Sequence, residues 1–277
     1  MKKTNESIWS KQSTRWSNVG SPTRPSLEDS AIMTKQARLC LNYIKEPKIC
    51  VLGVTPEIIQ LDWPNKAKLY AFDSSKDMIK KLWIYNRKID SQVSMADWNH
   101  LPLKKNSMNF ILGDGSFTAL QGIEEHKSVT REIERVLKNG GSLIMRCFIR
   151  PNKKETINQI KKDVESNKIL NFGTLKWRIA MALTDSKTST VQPSHIYNIF
   201  HETFKDLSKL TSYNKWTLDD ISTLDSYANM SGFFTFLTES SLKQYMPKNL
   251  KFISKKIGNY ELAERCPTML FKKNCDT

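Results

Sequence analysis

The sequence predicts an α/β fold built on a doubly wound, mostly parallel sheet. Three observations carry this expectation. Short apolar runs alternate with helical patterns through residues 48–150, the mark of βαβ units with helices on both faces of a sheet. Three successive runs end on Gly53, Asp73 and Asp97. Two more strand-like runs, Lys251–Ile257 and Thr268–Lys272, close the chain.

The elements follow in order. Residues 1–30 are polar, with aromatic anchors at Trp9 and Trp16 and turn signals at Gly20, Pro22 and Pro25. Ser26 is a good N-cap and Asp29 lies at capping-box spacing, so a helix should run from there to about Tyr43. Lys48–Leu52 reads as a buried strand. Thr55-Pro56-Glu57 has the order of a helix start: a capping Thr, Pro at the first helical position, an acid in the first turn. Leu69–Asp73 is the second strand, and Ser75–Tyr85 a helix turning Met78, Ile79 and Leu82 inward. Gln92–Ala96 and Met108–Leu112 are the third and fourth strands. Glu124–Leu137 has Val129, Ile133, Val136 and Leu137 on one helical face, and Asn139-Gly140-Gly141 is expected to stop it. Leu143–Ile149 is the fifth strand.

Residues 1–277 are expected to form one domain: an N-terminal segment and helix (1–47), a core (48–150), a helical insertion between the fifth and sixth strands (151–248) and closing strands (249–277). Hydrophobic residues make up 39% and aromatics 10%, values of a globular chain. No apolar run is long enough to span a bilayer, and the N-terminus lacks a signal-peptide core, so the expectation is cytoplasmic, with no membrane contact. The five cysteines, Cys40, Cys50, Cys147, Cys266 and Cys275, lack metal-ligand spacing. They read as reduced, with no metal expected. The net charge of +15 invites a nucleic-acid reading. Yet lysine dominates the basic residues and arginine, the usual reader of bases and phosphates, is sparse. Nucleic acid is therefore not the favoured partner.

The chemistry should lie beyond the carboxyl ends of the strands, where strand order reverses. Asp73 stands about 20 residues past Gly53, the spacing at which a carboxylate reaches the ribose hydroxyls of an adenosine cofactor. Around these positions stand Ile-Cys-Val-Leu-Gly (49–53), Tyr-Ala-Phe-Asp (70–73), Ala-Asp-Trp (96–98) with Leu-Pro-Leu (101–103), Met-Asn-Phe-Ile-Leu-Gly-Asp-Gly (108–115) and Glu-Ile-Glu-Arg-Val-Leu-Lys-Asn-Gly-Gly (132–141). On these pieces residues 48–150 resemble the class I S-adenosylmethionine-dependent methyltransferase family. The resemblance implies a Rossmann-like, seven-stranded sheet whose last strand is antiparallel. It departs in the glycine loop, where Val51, Thr55 and Glu57 occupy places the family gives to an acid and two glycines, so that only Gly53 remains.

The resemblance also implies roles. Asp73 would hold the ribose, with Ser74 beside it. Asp97 would accept from the adenine amino group, with Trp98 along the ring. Gly53, Val54 and Thr55 would form the turn against the cofactor. The helix start after Thr55 would receive the methionine carboxylate, and Glu57 its ammonium. Gly113 and Asp114 would border the methionine portion and the methyl group. S-adenosylmethionine is thus the expected cofactor and S-adenosylhomocysteine the product. Methyl transfer needs a base only for a protonated acceptor. The candidates are Asp114 and His126, with His195 and His201 in the insertion. Trp177, Tyr197, Trp216, Tyr227 and Phe233 are candidate walls of an acceptor pocket under a lid formed by the insertion, closed on the other side by the segment around Trp16 and Arg24-Pro25. Gly-Asp-Gly-Ser (113–116) differs from the Asn/Asp-Pro-Pro-aromatic motif of amine-methylating DNA enzymes, and no Pro-Cys nucleophile occurs in the equivalent region. A small-molecule acceptor is therefore expected. The alternative is a non-catalytic module of the same fold that acts through a protein or RNA partner. The sequence does not fix the oligomeric state.

Overall fold

The computed structural model describes residue 16, residues 19–214 and residues 216–275. Trp9, one of the two expected anchors, lies outside the described residues.

Helix α1 spans Leu27–Leu41 and opens with the expected capping box, in which Ser26 Oγ accepts from Asp29 N and the Asp29 carboxylate accepts from Ser26 N. Then come β1 (Lys48–Leu52), the four-residue helix α2 (Pro56–Ile59), β2 (Lys68–Asp73), α3 (Lys76–Leu82), β3 (Asp90–Met95), β4 (Met108–Asp114), α4 (Ile123–Val136) and β5 (Leu137–Arg146). The insertion holds α5 (Ile157–Glu165), α6 (Phe172–Leu183), β6 (Thr190–Val191), α7 (Pro193–Thr203), α8 (Leu207–Asn214), α9 (Leu218–Ser222), β7 (Phe234–Thr235) and α10 (Glu239–Tyr245). β8 (Leu250–Lys256) and β9 (Thr268–Lys273) follow.

The main sheet has seven strands in the order β3-β2-β1-β4-β5-β9-β8. β1 to β5 pair in parallel, and β9 runs antiparallel between β5 and β8. The chain steps outward from β1 through β2 to β3, then returns to place β4 on the other side of β1. That reversal opens a crevice beyond the carboxyl ends of β1 and β4. Alternation along the strands covers both faces. Ile49 and Val51 pack with Met33, Ala37 and Leu41 of α1, while Cys50 and Leu52 pack with the face holding Val129, Ile133 and Val136 of α4.

One local expectation is corrected. Asn139-Gly140-Gly141 does not stop α4, because the helix ends at Val136 and the chain is already extended at Leu137. The glycines serve a bulge in β5, where the register slips against β4 between Met108 and Phe110. Gly140 is there at φ +74°, and a Cβ on Gly141 would stand 2.8 Å from the Lys138 carbonyl oxygen. The insertion is mostly helical, and within it β6 and β7 pair as a small antiparallel ribbon. The insertion has a core of its own, in which Leu175, Trp177, Ile196, Phe200 and Phe236 pack with Phe148, just past β5.

Candidate functional site

A cavity of about 380 Å³ opens at the carboxyl ends of the parallel strands, within the ~300–1,000 Å³ range of small-molecule and cofactor sites. From the sheet it is lined by Gly53, Val54, Thr55, Asp73, Ser74, Asp97, Trp98 and Asp114. Eight of the ten expected cofactor residues thus meet in one place; Glu57 and Gly113 are not among the lining residues.

The ends of β1, β2 and β3 are tied together by one carbonyl. Phe72 O accepts from Gly53 N at 2.8 Å and from Trp98 Nε1 at 2.7 Å. The indole is therefore pinned beside the first turn. Gly53 turns at φ +111°, a region that side chains rarely adopt. A Cβ there would project between Asp73 Oδ2 and Trp98 Cζ2, 3.9 Å from each. The glycine keeps that cradle open. Asp73 Oδ1 accepts from Ser75 N at 2.8 Å, and burial pushes this carboxyl up to about 6. Asp97 Oδ1 accepts from Asn99 N at 2.9 Å and Asn99 Nδ2 at 2.8 Å, and Asn99 Nδ2 also reaches Glu125 Oε1 at 3.1 Å.

The turn after Gly53 departs from expectation. Thr55 stands at the N-cap of α2, but its side chain makes no capping hydrogen bond. α2 is a single turn, too short to build a strong terminal dipole. Glu57 is drawn to the N-terminal segment: its Oε1 pairs with Arg24 Nε, while Oε2 is buried with no partner among the described residues. Arg24 in turn donates to the Trp16 carbonyl oxygen at 3.2 Å and lies over the Trp16 ring at 5.5 Å. Trp16, Val19 and Thr23 thereby wall one side of the cavity.

Gly113 is a packing residue. A Cβ there would come within 2.5 Å of Ser116 Oγ and 2.6 Å of Met145 Cε, and Ser116 Oγ donates to Leu52 O at 2.8 Å. Asp114 borders the cavity but is committed to Arg146, whose Nε stands 2.5 Å from Asp114 Oδ1. Burial raises the Asp114 carboxyl against the pull of this arginine. Against its own burial, Arg146 is held charged by Asp114. Its Nη1 also donates to Pro22 O at 2.8 Å. His126 lies away from the cavity, wholly buried edge-on against Phe117, with both ring nitrogens lacking partners among the described residues. Burial lowers it to about 4. His195 and His201 do not line the cavity either.

The opposite wall comes from the insertion. Trp177 and Tyr227 line the cavity as expected, whereas Tyr197, Trp216 and Phe233 do not. Phe148, Phe234 and the polar trio Lys176, Thr223 and Ser226 line it instead. Lys176 was hidden among many lysines in the sequence. The signal was its setting: Lys176 stands between Leu175 and Trp177 in α6, a helix apolar over most of its length.

Among the described residues no group of three or more His, Cys, Asp or Glu is arranged to hold a metal, and no helix is long and apolar enough to cross a membrane. Residues 52–145 match the family described as a methyltransferase domain. No curated protein matches the sequence. Among solved structures, a protein from Rhodobacter sphaeroides described as a candidate Zn-dependent alcohol dehydrogenase is 13% identical over 100% of both chains, with a TM-score of 0.61. A protein from Pyrococcus horikoshii OT3 is 14% identical over 91% of this chain and 94% of its own, with a TM-score of 0.50. The N-methyltransferase NodS from Bradyrhizobium japonicum, solved with S-adenosyl-L-homocysteine, is 10% identical over 95% and 98%, with a TM-score of 0.49. At these identities the first two bear on fold alone. The strand order and the ordered Gly53, Asp73 and Asp97 positions agree with the family match, and together they make residues 52–145 similar to a methyltransferase domain.

Proposed function

We propose that the chain transfers the methyl group of S-adenosylmethionine to a small-molecule acceptor. One observation carries the reading: a single cavity is lined both by Gly53, Asp73, Asp97 and Asp114 of the sheet and by Trp177, Tyr227 and Phe234 of the insertion. The residues present fit the cofactor. The Gly53 cradle is open, and Asp73 has one oxygen beyond its bond to Ser75. In this reading Asp73 accepts from the ribose hydroxyls and Ser74 forms the rim. Asp97 accepts from the adenine amino group and Trp98 flanks the ring. Gly53, Val54 and Thr55 carry the turn, Gly113 keeps it close-packed, and Asp114 fixes the methionine side through its pair with Arg146.

When bound, the cofactor supplies an electrophilic methyl group on a sulfonium sulfur. The protein's part is alignment and the exclusion of water, which the aromatic wall and the Trp16 segment provide. His126 takes no part in proton transfer, since it does not reach the cavity. Residues 151–248 serve as the acceptor lid.

Calorimetry with S-adenosylmethionine and S-adenosylhomocysteine tests the reading. Binding should be lost or weakened by about 10–100-fold in Asp73→Ala, as charge-assisted hydrogen bonds of ~1.5–3 kcal/mol are removed. No binding at millimolar cofactor overturns it. Cofactor binding without transfer to any small acceptor, together with salt-dependent RNA binding, would favour the non-catalytic module.

A further inference from the structure

The charged residues lining the cavity are segregated. Asp73, Asp97, Asp114 and Glu125 line it from the sheet and the α4 side, and Lys176 is the one cation among the described lining residues. Lys176 is 6% exposed. Its Nζ donates to Thr223 Oγ1 at 2.9 Å and stands 5.7 Å from the Phe172 ring centroid. No carboxylate forms an ion pair with it among the described residues. The acid that acts on it electrostatically is Asp220, whose Oδ2 already accepts from Thr217 N and Thr217 Oγ1, both at 2.8 Å.

A buried ammonium is costly unless it is paired and hydrogen-bonded. An ammonium has three donors and no acceptor, and Thr223 uses one of them. A purely structural tie between α6 and the turn at Thr223 needs only a neutral hydrogen bond, so it does not account for the charge. Around Lys176 the wall is otherwise apolar, formed by Trp177, Tyr227, Phe234 and Phe148. Such a wall takes a flat or apolar body, and the Lys176 ammonium in it takes an anionic oxygen.

We propose that the acceptor is a small aromatic or apolar molecule bearing a carboxylate, and that Lys176 binds this carboxylate beside Thr223. The inference deepens the methyltransferase reading and rests on it for the word acceptor. Without a ligand, burial lowers the Lys176 ammonium to about 8. A bound carboxylate supplies the missing counter-charge. Lys176 is then a binding residue, and the methylated atom lies on another part of the molecule, toward Asp114 and Gly115.

The test compares benzoate, phenylacetate and indole-3-acetate with their uncharged primary amides. Binding to the full chain is followed by calorimetry in the presence of S-adenosylhomocysteine. At least one acid should bind more than about tenfold more tightly than its amide. Lys176→Met should erase that preference, and Lys176→Arg should retain part of it. The wild-type comparison of acid with amide stands even if Lys176→Met fails to fold. Equal binding of acids and amides, no acid binding at millimolar concentration, or an acid preference that survives Lys176→Met overturns the proposal. The calorimetric signal of S-adenosylhomocysteine alone is read separately, so loss of the cofactor reading and loss of the carboxylate reading are distinct results.

Discussion

A methyl group built on Gly53 would meet the Trp98 indole at 3.9 Å, with Asp73 Oδ2 at the same distance on its other side. Gly53→Ala therefore acts twice. It forces a side chain into φ +111°, a strain of about 1–3 kcal/mol, and it fills the space between the two groups expected to face the nucleoside. The variant should melt earlier and bind S-adenosylhomocysteine at least about tenfold more weakly. Calorimetry checks this on folded protein. Unchanged affinity would mean that the cofactor does not enter this cradle.

In the proposed site, Asp73 would couple cofactor binding to pH. Burial holds its carboxyl at about 6 in the folded protein, against 3.8 when unperturbed. The folded state thus binds the proton more tightly than the unfolded chain. Stability from this group is present below about 3.8 and is lost as pH rises through 6, a change of roughly 3 kcal/mol. A carboxylate is needed to accept both ribose hydroxyls, so cofactor affinity should fall as pH drops below about 6. Asp73→Asn should flatten this dependence and bind more weakly at pH 7.5, yet melt no earlier than the wild type. An Asn variant that is destabilised at pH 7.5 would contradict a burial-dominated carboxyl.

The strands and their polar ends were legible because local signals agreed with the final packing. Ser26 and Asp29 cap α1 as their spacing requires, Asp73 ends β2, and Asp97 lies just past the end of β3. What failed to show depended on long-range contacts. Asn139-Gly140-Gly141 reads locally as a helix stop, but its shape is set by β4 across the bulge. Glu57 reads as a cofactor ligand until Arg24, far away in sequence, takes its Oε1. His126 has the side chain of a general base, and its burial against Phe117 leaves it outside the cavity lining. Phe148 and Phe234 were indistinguishable from core aromatics, because which apolar side chain meets a cavity depends on how α6 and β7 are set against the sheet.

The Arg24–Glu57 pair fastens the chain around Trp16–Arg24 beside the cavity that Trp16, Val19 and Thr23 line. Arg24 also holds the Trp16 carbonyl and ring, so one side chain ties Trp16, which lines the cavity, to Glu57. Arg24→Met should leave the fold intact, because the pair is partly exposed and such pairs contribute about 0–1 kcal/mol. It should instead speed cofactor release several-fold. Stopped-flow fluorescence of the cavity tryptophans measures the rate. A release rate equal to that of the wild type would show that the segment does not retain the ligand.

His126 makes the opposite pH contribution to Asp73. Burial lowers its imidazolium to about 4, against 6.5 when unperturbed. The unfolded chain therefore binds the proton more tightly. Stability from neutral His126 is complete above about 6.5 and is lost as pH falls toward 4, by roughly 3 kcal/mol. Neither ring nitrogen has a partner among the described residues, so an apolar side chain of similar volume forfeits no hydrogen bond there. His126→Leu should be at least as stable as the wild type at pH 7.5, within about 1 kcal/mol for the lost edge contact with Phe117. Its advantage should then grow as pH falls from 6.5 to 4. Between about 4 and 6 the Asp73 term runs the other way, so the wild-type curve is partly flattened by cancellation. In His126→Leu the Asp73 slope stands alone, and stability should rise as pH falls through 6. Urea unfolding across pH 4–7.5 reads both slopes, and transfer activity at pH 7.5 should be unchanged because His126 does not line the cavity. A His126→Leu curve parallel to that of the wild type would mean that the imidazole is not held neutral by burial, and a loss of transfer with cofactor binding intact would return His126 to the catalytic chemistry.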